Sequence, residues 1–184
     1  MPAVTPRILP LEPPYEPAVA AEFARIEARG LKPIKLFRTI AHNPRVLQRF
    51  FAGSLLDAGS ISLREREIVI LRTSARCGSE YEWGVHVQHF AARAGLGAAE
   101  LRATVLGSAD DAAWDARDRL LITFVDRLHT TGGIDDALAA SLAEFWTPAQ
   151  ILELTALTGF YHLVAFVIGV AAVEREVGAP EFPT

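Results

Sequence analysis

The sequence predicts an all-α fold. Apolar residues recur with a period near 3.6 along most of the chain, and no convincing run alternates as a half-buried strand does. Segment boundaries also carry capping residues and helix-stopping glycines. With 184 residues, 51% apolar and 22% charged, the chain can bury one core without help from a metal or a disulfide.

Residues 1–17 hold six of the eleven prolines (Pro2, Pro6, Pro10, Pro13, Pro14 and Pro17), which predicts an extended arm. Ile8, Leu9, Leu11 and Tyr15 give that arm apolar side chains with which to lie against a surface, its own or a partner subunit's. Helices are expected over Ala18–Arg29, Ile34–Ala41 and Arg45–Asp57, the last entered through Pro44 with Asn43 as its cap. Ser62 and Glu65 form a capping box, opening a helix that runs to about Arg76 and turns at Gly78. A partner helix over Glu80–Ala94 is closed by Gly95, which makes an antiparallel hairpin. Shorter helices follow near Ala98–Leu106, Ala113–His129 and Ile134–Phe145.

Thr147-Pro148-Ala149-Gln150 combines cap, N1 proline and N3 partner, so a final helix starts there and is expected to reach about Val177. Gly159 and Gly169 are its expected points of bending or close packing. Its apolar stretch Leu154–Val173 approaches the ~20 residues of a membrane span. His162 lies inside it, charges flank it and there is no second span, so a core or subunit-interface helix is expected. Residues 18–184 therefore read as one domain. Ser62-Leu-Arg-Glu and Thr147-Pro-Ala-Gln open two similar halves, by duplication of a helical unit or by coincidence of common caps.

A net charge of −4 with scattered basic residues predicts no nucleic-acid or membrane partner. No secretory signal is legible at the start, and a cytoplasmic location is expected. The single cysteine, Cys77, excludes intrachain disulfides, a CxxC redox pair and multi-cysteine metal sites. No metal-ligand repeat or phosphate-binding loop is present in the sequence, so neither cofactor nor metal is expected.

Reactive side chains are densest in Cys77-Gly-Ser-Glu-Tyr-Glu-Trp-Gly-Val-His86. Glu82 and His86, four apart, share a helix face. Across the hairpin Glu67 lies about 16 Å from the turn and His86 about 12 Å, within side-chain reach of each other. A carboxylate facing the apolar Ile-Val-Ile-Leu run needs a partner, and an imidazole would make the two an acid/base couple. The alternative is a first-turn acid and a satisfied core histidine. Cys77 is either a weakly activated thiol or a small buried hydrophobe, and its position at a helix C-terminus disfavours the thiolate. Tyr81 and Trp83 flank Glu82 as pocket or packing residues. Tyr161-His162 is a second polar point that completes the pocket, crosses an interface or pairs in the core.

The segment from Leu63 through His86 to Leu96 resembles the carboxymuconolactone decarboxylase family, which includes the AhpD-type alkylhydroperoxidases. The likeness is firm over about Pro44–Leu106 and softer over Leu120–Gly178, where Tyr161-His162 resembles a pair in longer members. The resemblance implies an AhpD-like helical bundle in a homo-oligomer, a trimer or hexamer, with a dimer also open. Laid on the AhpD pattern, Glu67 and His86 fall in register, while the two redox cysteines fall on Ser79 and Glu82. A disulfide-cycling peroxidase is thereby disfavoured, because both thiols are absent.

The resemblance then implies cofactor-free proton transfer on a small lactone- or enone-like substrate, a lyase or isomerase chemistry. His86 would shuttle the proton, Glu67 would orient it and Glu82 would be a second acid/base or an anchor. Tyr81, Trp83, Cys77, Arg72, Tyr161 and His162 would line the pocket or bind substrate, with Arg72, Arg76 and His162 as candidate anion clamps. The alternatives are peroxide reduction through Cys77 alone and a non-catalytic binding or scaffold protein.

Overall fold

A central helix, enclosed on several sides, organises the molecule. The computed structural model describes residues 5–184, which contain nine α-helices and no strand. They are α1 (Pro17–Glu27), α2 (Lys35–Ile40), α3 (Pro44–Gly53), α4 (Leu63–Arg76), α5 (Glu80–His86), α6 (Ala98–Leu106), α7 (Ala116–Thr131), α8 (Asp136–Ala143) and α9 (Pro148–Ala171). A π-helical turn, Val87–Ala91, continues α5.

Helix α4 opens on the expected capping box, in which Ser62 accepts from the Glu65 backbone and Glu65 from the Ser62 backbone. It buries every residue from Glu67 to Ser74, against α5, α6, α7 and α9. Gly78 reverses the chain at φ +64°, a left-handed conformation that a side chain would strain. The hairpin of α4 and α5 is therefore present as expected.

Helices α4 and α7 lie side by side in parallel, joined by two ion pairs of equal sequence separation. Arg64 reaches Asp118 at 2.7 Å and Arg72 reaches Asp126 at 2.6 Å, each across 54 residues. At the start of α4, Glu65 also accepts from Trp146 Nε1 at 2.6 Å and Arg117 Nε at 2.8 Å.

Several expected boundaries move. Helix α3 ends at Gly53, not Asp57, and Leu55 then takes φ +51°. The second arm of the hairpin is not one α-helix to Ala94, because the ladder widens to π after His86. Helix α7 starts at Ala116, where the Asp115 side chain caps the Asp118 amide. Helix α9 stops at Ala171, six residues short of Val177, with Ala172 left-handed at φ +50°. The N-terminal arm supplies a physical reason for that stop. Arg7 and Ile8 amides donate to the Ala171 carbonyl at 2.9 and 3.1 Å, and Arg7 Nη1 donates to Gly169 at 2.8 Å. The arm thus lies on its own chain, with Leu11 bonded to Arg38 and Tyr15 packed on Phe23. Pro2 lies outside the described residues.

Helix α9 is long and apolar enough to cross a membrane, yet one face is buried in the core through Leu154, Leu157, Tyr161, Val164 and Ile168. Its outer face exposes Leu152, Ala156, Gly159, Leu163, Phe166 and Val170, spaced 4-3-4-3-4. No bend is needed at Gly159 or Gly169, and the space beside each is open.

The C-terminal segment crosses α5 at Gly84, where an added Cβ would meet the Pro180 carbonyl at 2.4 Å. Gly84→Ala is expected to cost about 1–3 kcal/mol. It should also expose residues after Ala172 to protease; an unchanged melting temperature and digestion pattern would refute this packing.

Candidate functional site

The hairpin brings Glu67 from α4 and Glu82 and His86 from α5 together, and α9 adds Tyr161. Glu67 Oε2 lies 2.7 Å from His86 Nδ1. His86 Nε2 lies 3.3 Å from Glu82 Oε1 and 3.0 Å from the Tyr161 hydroxyl. Glu67 is wholly buried, and His86, Glu82 and Tyr161 nearly so. Arg66 donates to Glu67 Oε1 at 3.0 Å and to the Leu56 carbonyl at 2.9 Å, giving the buried carboxylate a second cationic partner.

Burial alone would push the His86 ring toward its neutral form. Hydrogen bonds to Glu67 and Glu82, and their charges, outweigh that effect and raise its pKa to about 9. The imidazolium is therefore the resting form at neutral pH. Burial, then the charges of Glu82 and Glu67, drives the Tyr161 pKa far above its ordinary value, so its hydroxyl stays protonated. Glu82 Oε2 is buried with no hydrogen-bond partner. Such a group is costly in a native interior and marks a place for a ligand's donor or a water.

The π-helical turn aims Phe90 back over the site, stacked on the His86 ring at 5.1 Å. Single π turns recur at functional sites in proteins. The Arg66 guanidinium sits 5.3 Å from the other partner in this wall, the Phe90 ring. Together they separate the buried cluster from a groove of about 390 Å³, which Leu56, Ile61 and Arg93 also line. In the single protomer this groove stops at Arg66 and Phe90; it does not open onto His86 or Glu82.

The other sequence-predicted site residues lie elsewhere. Arg72 is spent on Asp126 and on the Thr104 and Gly107 carbonyls, both at 3.0 Å. It is a structural tie between α4, α6 and α7, unavailable as an anion clamp. The Tyr81 hydroxyl donates to Glu176 at 2.7 Å and accepts from the Leu36 amide at 3.1 Å. Trp83 Nε1 donates to Thr104 at 2.9 Å, and its ring packs on Phe182. Cys77 caps the far end of α4, where its group neighbours are His129 and His162. Arg66 and Phe90 were missed by sequence reasoning. The run Arg-Glu at 66–67 was a usable signal for the first, but nothing local announces the π turn that places the second.

Fold and site together define an all-helical protein with an AhpD-like fold, built on a hairpin with a buried Glu–His couple. Residues 43–124 match the model of the Carboxymuconolactone decarboxylase family. The fold is shared with an uncharacterized peroxidase-related protein from Silicibacter sp. TM1040, at TM-score 0.80, 19% identity and coverage of 100% of this chain and 99% of that one. A peroxidase-related protein from Ralstonia eutropha JMP134, described as an alkylhydroperoxidase AhpD core, aligns at TM-score 0.68, 15% identity and coverage of 92% and 93%. The debrominase Bmp8 in complex with 2,3,4-tribromopyrrole aligns at TM-score 0.72, 17% identity and coverage of 95% and 94%. No curated protein matches the chain.

Proposed function

We propose that the protein is an acid/base enzyme that moves a proton to or from carbon in a small neutral lactone- or enone-like molecule. The observation that carries this reading is the unpaired Glu82 Oε2, buried beside a charged imidazole and a neutral tyrosine hydroxyl. Glu67 fixes the His86 Nδ1–H, which leaves Nε2–H as the proton to be delivered. Tyr161 offers its hydroxyl to a substrate oxygen that gains negative charge, and Glu82 accepts the proton removed elsewhere on the substrate. Substrate would come from the groove after Phe90 swings aside.

A neutral substrate fits better than a carboxylated one. Glu82 repels an anion, Arg72 and Arg76 are held by Asp126, and Arg66 is matched to Glu67. The tribromopyrrole bound by the debrominase neighbour is likewise a small flat ring. Peroxide reduction through Cys77 is weaker on two counts. Burial raises the thiol's pKa, and no second cysteine exists to resolve a sulfenic acid.

The test uses the folded protein in D₂O with a panel of butenolides and cyclic enones. Exchange of the carbon-bound proton beside or conjugated to the carbonyl should exceed that given by His86→Gln. No excess across the panel would end the reading.

The working unit is proposed to be a homo-oligomer paired through the outer face of α9. That face combines protruding Leu163 and Phe166 with small Ala156 and Gly159, and carries no charge, so a second copy is self-complementary to it. Sedimentation is expected to show a species heavier than 20.0 kDa, and Leu163→Asp with Phe166→Asp should return it to the monomer. A wild-type monomer at micromolar concentration would refute the assembly.

A further inference from the structure

At the far end of α4 from its capping box, three helices present a cysteine and two histidines to one point. Cys77 is the C-cap of α4, His129 lies in the last turn of α7 and His162 lies midway along α9. Their ligating atoms all fall within 4.8 Å of one another. We propose that Cys77, His129 and His162 bind a divalent zinc ion, with a fourth position left to water or a small ligand. The site is independent of the Glu67–His86 couple and shares no residue with it.

Several observations converge on that assignment. His129 Nδ1 and His162 Nε2 stand 3.0 Å apart, whereas two nitrogens on tetrahedral zinc, each about 2.0–2.1 Å from the metal, stand roughly 3.3 Å apart. The pair therefore needs to open by only a few tenths of an ångström. His162 Nδ1 donates to the Thr158 carbonyl at 2.9 Å, which commits the Nε2 lone pair to face His129 and Cys77. Metal-bound histidines are held in this way, the second ring nitrogen donating to a carbonyl. One thiolate with two imidazoles suits zinc over calcium or magnesium, which prefer oxygen ligands. The parallel packing of α4 and α7 also brings two helix C-termini, each partly negative, to the same end of the bundle. Arg76 is the adjacent cation, and its Nε lies 3.4 Å from Asp126, the carboxylate one turn before His129.

Without metal, His129 Nδ1–H donates to His162 Nε2. Binding moves the His129 proton to Nε2, frees the Nδ1 lone pair and breaks the Cys77 S–H bond, releasing that proton to solvent. No electron is transferred.

The reduced, chelator-treated full chain titrated with Co²⁺ reads the site directly. One equivalent should bind, with a near-ultraviolet thiolate-to-cobalt band and visible bands of tetrahedral cobalt, all lost when Zn²⁺ is added. Cys77→Ser should abolish the thiolate band. His129→Ala and His162→Ala should each lose one-equivalent binding while keeping the wild-type circular dichroism. As a second readout on the unaltered protein, saturating Zn²⁺ should slow alkylation of Cys77 by iodoacetamide. Absence of the band, its survival in either histidine variant, or alkylation indifferent to Zn²⁺ would overturn the proposal.

Discussion

His86→Gln is expected to lower turnover by about 10²–10⁴-fold, the usual worth of a positioned proton-transfer group. The fold should survive the change, because the Glu67 carboxylate keeps Arg66 at 2.9–3.0 Å and the glutamine amide still offers it a donor. Glu67→Gln should behave differently. It removes the charge that holds the imidazolium and leaves Arg66 without its partner, a loss of about 3–5 kcal/mol by analogy with other broken buried pairs. It should also lower the pKa of His86.

The pH dependence follows with a definite sign. His86 has a folded pKa of about 9 against an ordinary value of 6.5. Its contribution to stability is complete below the lower figure, shrinks between the two and is gone above the higher. A rate that uses the imidazolium as acid falls as pH rises through about 9, and in Glu67→Gln that limb should move to lower pH. A side-by-side measurement of melting temperature and rate separates chemistry from packing. If purified, folded His86→Gln retains the parent rate, the histidine is structural.

The second large effect is expected at Glu65, remote from the chemistry. Its carboxylate closes the α4 capping box and accepts from Trp146 and Arg117, so one group ties three parts of the chain. Glu65→Ala loses a cap worth about 0.5–2 kcal/mol and leaves the buried indole N–H without an acceptor, about 1–3 kcal/mol more. A total near 3 kcal/mol lowers the melting temperature by about 6–12 °C in a chain of this size. Burial opposes ionisation of Glu65, but its bonds with Ser62, Trp146 and Arg117 outweigh that and depress its pKa below 4.5. Its contribution is thus present above that value and lost as pH falls through the lower folded value. Urea unfolding should therefore show the gap between wild type and Glu65→Gln closing in acid, whereas a gap constant with pH would contradict this network.

The helix hairpin and its couple were legible because local signals coincide there. Ser62 with Glu65 set the start of α4, Gly78 set its turn, helical rise brought Glu67 within reach of His86, and the family resemblance aligned the two in register. The π turn was not legible, since Val87–Ala91 has no composition that distinguishes it from α-helix. The end of α9 was hidden for another reason: its last carbonyls are satisfied by Arg7, more than a hundred and sixty residues away in sequence. Long-range pairing also decided Arg72, Tyr81 and Trp83, whose polar atoms go to Asp126, Glu176 and Thr104 and not to a pocket. Each looked available in sequence only because its partner lies far along the chain.

The twin arginine–aspartate rungs between α4 and α7 bear on how the molecule moves. One rung would act as a pivot, leaving α7 free to swing about it. Two rungs at a fixed 54-residue offset pin both rotation and sliding, since a shift by one helical turn of about 5.4 Å would break both together. The wall of the site behind α4 is thereby braced against both motions. Whatever opens the way to His86 has to come from the opposite side, where Phe90 rides on a π turn that has no such fastening. Backbone amides of α4 and α7 should accordingly exchange slowest in deuterated water, and those of Val87–Ala91 much sooner.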